Sequence, residues 1–263
     1  MITLQDLMPT SFETIDAFDF ATGAYEFTLD ELQKVTIENS QDKSDITGKN
    51  SRKLGNVKRN KAVTISGTHG LVSHGLLEAQ TGGTFENKEV EIMWTDYLTV
   101  SENAATTSYK AIGTTGAEII ELYTKDSNGI ASKNSLEQSD TAASGKFAYD
   151  PGTKKLTFSG INDGTEIVVF YKRKVSTNTL DNTDDTFSRK LSMYINYLAE
   201  DKCANVYRVQ IFIPKADFDG NFSLEVGSDQ TTHEFSAESL AGTCGIGNKL
   251  WSYTIFGVDQ ADA

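Results

Sequence analysis

The chain has 263 residues, 38% of them hydrophobic and 10% aromatic, a composition of one large or two smaller folded domains and not of a disordered chain. Its formal net charge of −13 argues against a general nucleic-acid binder, which carries a net basic domain or face. With 21 glycines and only 3 prolines, it suits many tight turns between strands.

Residues 1–23 are polar, with scattered aromatics at Phe12, Phe18 and Phe20 and no clear period. They read as an arm that packs these rings on its own subunit or on a neighbour. The opening MITLQDLMPTS has no basic n-region and no apolar h-region, so it does not read as a signal peptide. Two short strands are expected at 25–29 and 32–37, followed by a charged connector at 40–48. The next stretch, 49–83, opens with Lys49, Arg52, Lys53, Lys58, Arg59 and Lys61 and no acidic residue among them, which reads as a basic loop. Val63 and Ile65 then alternate with Thr64 and Ser66. A turn at Gly67-Thr68-His69-Gly70 leads into a helix over 71–80, capped by Thr68 or Ser73 and stopped by Gly82 and Gly83. So short a helix must lie on a sheet to be stable.

Clean alternation at 89–94, with Val90, Ile92 and Trp94 on one face, predicts a half-buried strand. From about Thr99 the segments shorten. Strands are expected at 117–123, 145–149, 155–158 and 166–171, separated by polar turns such as Asp126-Ser127-Asn128-Gly129 and Asp150-Pro151-Gly152-Thr153. That spacing suggests a small sandwich of immunoglobulin size inserted at 99–171, between 1–98 and 172–263. After a loop at 176–185 longer strands return, carried by Leu191, Met193, Ile195 and Tyr197 and then by Tyr207, Val209, Ile211 and Ile213. The run Asp217-Phe218-Asp219-Gly220-Asn221 reads as a turn into a strand at 222–226, and the last strand is expected at 250–256.

Charge is unevenly placed. Ten carboxylates stand within residues 1–45 against Lys34 and Lys43, and eight follow Lys215 against Lys249 alone. Two acidic ends therefore flank a basic stretch, which is solvated surface in a monomer and the pattern of self-complementary faces in an assembly. The histidines His69, His74 and His233 lack further ligands at metal-binding spacing, so no metal is expected. No glycine-rich phosphate loop and no nucleophile elbow is present, and any pair among so many carboxylates would be an arbitrary choice, so neither catalysis nor a cofactor is expected. Cys203 and Cys244 read as buried or idle thiols of a reducing compartment. The longest apolar runs, 167–171 and 211–213, fall far short of the ~20 residues that span a bilayer, so no membrane is expected.

Two segments, RKLGNVKRNKAVTISGTHGLVSHGLLEAQTGG at 52–83 and VYRVQIFIPKADFDGNFSLEVGSDQTTHEFSAESLAG at 206–242, resemble the tail tube (major tail) proteins of bacteriophages. The second carries the late pattern His233, Phe235, Glu238, Leu240. The resemblance implies a mainly β, tail-tube-like sandwich or barrel with one flanking helix. It further implies homohexameric rings stacked into a hollow tube that meets other tail proteins and passes DNA without specific binding. The place it implies is the virion tail, assembled in the bacterial host cytoplasm. On that reading the six cations meet neighbouring subunits or rings, and Phe12, Phe18 and Phe20 are arm contacts. The insert at 99–171 departs from a minimal tube protein and leaves a tube terminator or neck protein open. A non-catalytic surface or carbohydrate-binding β module is the alternative.

Overall fold

The computed structural model describes residues 6–125, 131–225, 227, 232–241 and 248–257. The chain divides into two compact units, Met1–Phe85 with Leu180–Ala263, and Glu86–Thr179. Both are mainly β.

The first unit begins with β1 (Met8–Asp19), β2 (Tyr25–Leu29), β3 (Leu32–Thr47) and β4 (Lys53–His69), then α1 (His74–Thr81). Residues 8–19 of the stretch expected to be an arm thus form a strand, lying between β2 and a later strand of the same sheet. Its period is hidden because the outward positions form a polar network. Asp16 accepts from the hydroxyls of Thr14 at 3.0 Å and Thr28 at 2.7 Å and from the amide of Asn196 at 3.1 Å, while Ile15 and Ala17 point into the core. A register shift between Phe12 and Thr14 breaks the alternation further.

The second unit supplies β5 (Glu86–Thr99), β6 (Ala104–Thr106), β7 (Ile119–Lys125), β8 (Ala131–Ser135), β9 (Glu137–Gln138), β10 (Lys146–Asp150), β11 (Lys155–Phe158) and β12 (Glu166–Thr179). They form two four-stranded sheets, in the orders β6-β11-β10-β9 and β5-β12-β7-β8. Val100, Leu122, Phe147, Leu156, Ile167, Val169 and Tyr171 make its own core. β5 and β12 pair from Glu166 opposite Thr99 to Thr179 opposite Glu86, so the chain enters and leaves the unit side by side. This ribbon carries the unit beyond 99–171. Its outer part is laced by exposed pairs such as Lys172–Glu91 and Lys174–Glu89, and such polar residues do not mark a strand by hydrophobicity. The turn expected at Asp126-Ser127-Asn128-Gly129 lies outside the described residues.

The first unit then resumes with β13 (Lys190–Glu200), β14 (Val206–Phe218), β15 (Leu224–Glu225), β16 (Thr232–Ser239) and β17 (Ser252–Gly257). The strand order is β2-β1-β13-β14-β16-β4-β3, with β17 also on β14 and β15 on β16. β14 pairs with β17 over its first half, then with β16 from Ala216. Pro214 stands between the two pairings, and a proline has no N–H to give to a ladder. One core takes side chains from both ends of the strand order: Ile15, Leu29, Met193, Ile195, Ile213 and Phe218 meet Val63, Ile65, Phe235 and Ala237. The sheet therefore folds over on itself as a sandwich.

The helix starts three residues later than expected because Ser73, not Thr68, is its cap. The Ser73 hydroxyl accepts the Leu76 N–H at 3.3 Å. At its other end Gly82 takes φ +75°, and its N–H donates to the Glu78 carbonyl at 2.8 Å. Leu76 and Ala79 enter the core. Gln80 ties the helix to β16: His233 Nε2 lies 2.8 Å from Gln80 Oε1, and the Gln80 amide donates to the Glu234 carbonyl at 2.8 Å.

Candidate assembly surface

β3 and β4 pair from Leu32 opposite His69 out to Thr47 opposite Lys53, but β16 joins β4 only from Thr64 to His69. Beyond Ser40 and Ala62 the two strands run on as a hairpin arm with no third strand among the described residues. The basic stretch is accordingly not a loop. Lys53, Lys58, Arg59 and Lys61 stand on β4, Lys49 lies in a single 3-10 turn at Lys49–Ser51, and Arg52 joins that turn to the strand. Two strands with polar residues on both faces bury too little to show a period, which is why the sequence pattern hides them.

The turn is closed by the Gly48 N–H on the Arg52 carbonyl at 2.8 Å. Asn50 and Ser51 take positive φ, and so does Asn60, where the register slips between Ser40 and Asp42. Such a bulge adds local twist to the ribbon. Asn60 donates its amide to Asp42 at 2.9 Å.

Between 41 and 61 stand seven cations, the seventh being Lys43, and two carboxylates, Asp42 and Asp45. All six expected cations are exposed. Lys53 meets Asp45 within the arm at 2.6 Å, between side chains both at least half exposed. Such a pair contributes little in water. Among the described residues Lys49, Arg52, Lys58, Arg59 and Lys61 make no ion pair. Lys43 and Lys58 stand directly opposite each other, a like-charge cross-strand pair that disfavours the isolated hairpin. The arm thus carries positive charge unanswered within itself, on a chain whose total is −13.

The three aromatic residues all pack on their own subunit. Phe12 lies against the core, Phe18 meets Tyr25 and Tyr194 edge to face at 6.0 and 5.7 Å, and Lys215 sits over Phe20 at 5.0 Å. Among the described residues no group of three or more His, Cys, Asp or Glu is placed to hold a metal, and no helix is long and apolar enough to cross a membrane. Cys203 is exposed, and Cys244 lies outside the described residues.

The chain belongs to the YomU/Tube protein family, a phage tail tube family, whose model matches residues 11–250. No curated protein matches it. Membership makes the chain a structural protein of the phage tube and its place the virion.

Proposed function

We propose that copies of this chain assemble into hexameric rings stacked as a hollow tail tube through which phage DNA passes. The β3–β4 arm docks on carboxylates of a neighbouring copy. The observation that carries this reading is the arm itself, with five exposed cations lacking an ion pair among the described residues of a strongly acidic chain. Charge matching of this kind sets orientation and register more than affinity. The sixfold count and the stacking follow from the family resemblance. A net acidic tube repels the phosphate backbone, so DNA slides without sticking. Assembly takes place in the host cytoplasm, and other tail proteins meet the tube.

The test is negative-stain electron microscopy across a concentration series, with and without the phage's other tail proteins. Wild-type chain should give rings or tubes, and the R52E/K53E/K58E/R59E variant should stay folded by circular dichroism yet give neither. Tubes from the variant would sink the arm's role. Wild-type chain that stays monomeric under every condition would overturn the tube reading.

A further inference from the structure

In the Glu86–Thr179 unit, Arg173 stands on β12 opposite Ile92 of β5. Its guanidinium carbon lies 3.6 Å from the centroid of the Tyr109 ring and 4.4 Å from that of Trp94. The two rings meet edge to face, 5.0 Å apart at 86°. Both walls are held by one buried carboxylate. Asp96 accepts from the Trp94 indole N–H at 2.9 Å, from the Ser108 N–H at 2.7 Å and hydroxyl at 2.8 Å, and from the Tyr171 hydroxyl at 2.8 Å. The Tyr171 oxygen in turn accepts the Tyr109 N–H at 3.0 Å. Asp96 has spent its acceptor capacity on the walls and makes no ion pair with Arg173.

The guanidinium has no hydrogen-bond or ion-pair partner among the described residues, and its Nε is buried without one. Two aromatic faces stabilise the positive charge but leave the N–H donors unanswered. A half-buried guanidinium in a pre-built clamp lacks an acceptor with two coplanar oxygens, which is the geometry of a carboxylate. Carboxylates are also what this chain carries in excess, 37 acidic residues against 24 basic ones.

The geometry points to a carboxylate-binding site, in which Arg173, clamped between Trp94 and Tyr109, takes a carboxylate on its free N–H groups. The carboxylate belongs either to a small acid or to an acidic side chain of a second copy. The site does not depend on tube formation.

The probe is sodium acetate, titrated into the full chain against sodium chloride at equal ionic strength. The Trp251→Phe background leaves Trp94 as the single tryptophan, since the chain has 2. Trp94 emission and the 15N-labelled Arg173 Nε–H resonance should change saturably with acetate and not with chloride. R173K, which keeps the charge but loses the planar fork, should bind acetate several-fold more weakly, and R173Q not at all. Without acetate, movement of the same signals with protein concentration assigns the carboxylate to a second copy; fixed signals together with a saturable acetate response assign it to a small acid. An acetate response no different from chloride's, or one that survives in R173Q, overturns the site.

Discussion

Asp96 and His233 are buried groups whose surroundings make stability depend on pH. Burial pushes the Asp96 carboxyl up, but the bonds from Ser108, Tyr171 and Trp94 outweigh it and hold the group below the ordinary carboxylate value. A depressed carboxyl contributes stability above its unfolded pKa of ~3.9 and loses it as pH falls through the folded value. Replacing Asp96 by Asn leaves donors facing donors and should cost about 2–4 kcal/mol at neutral pH, measured by urea denaturation. The variant should also lose part of the wild type's sensitivity below pH ~4. His233 acts in a higher window. Burial, and then the nearby His69, lower it to about 4. A histidine lowered in the folded state contributes fully above its unfolded pKa of ~6.5, and that contribution is lost as pH falls from there towards the folded value. From neutral pH down towards that folded value, wild-type stability should therefore decline more steeply than that of H233Q; parallel curves would count against a neutral His233. Neither partner set is legible in the sequence, because Asp96 meets Ser108 and Tyr171, and His233 meets Gln80, only after distant segments pack.

At the scale of the element, α1 shows what local signals can and cannot say. Its stop at Gly82 is legible, because a left-handed C-terminal residue favours glycine wherever the helix lies. Its start is not, since two hydroxyl residues compete for the cap and only the path of β4 to His69 excludes Thr68. A Cβ at Gly82 would collide with the Phe187 carbonyl, with φ already at +75°. Gly82→Ala should therefore destabilise the first unit by about 2 kcal/mol or more, read as a lowered denaturation midpoint. The arm behaves oppositely. Its charges are exposed, so the fourfold reversal should shift stability by only about 1 kcal/mol while changing assembly.

For the whole molecule, the paired ends of the insert set a clear expectation. Glu86 and Thr179 are register partners, and each unit has a core of its own. Replacing 86–179 with a short Gly-Ser turn should leave the first unit folded, with cooperative thermal unfolding and the circular dichroism of a β protein. A chain that fails to fold after this exchange would show that the insert supports the sandwich.

Local sequence suffices for the mainly β character, the helix after β4 with its glycine stop, the concentration of positive charge in an acidic chain and the resemblance to tube proteins. These are properties of neighbouring residues: period, turn chemistry, caps and composition. Packing was needed to make 8–19 an interior strand, to set the cations on a hairpin arm, and to leave Arg173 between two rings without an ion pair among the described residues. Each of these depends on pairing between residues far apart in the chain, as Thr14 with Asn196 and Trp94 with Arg173, and no local period records which distant strand will supply the partner.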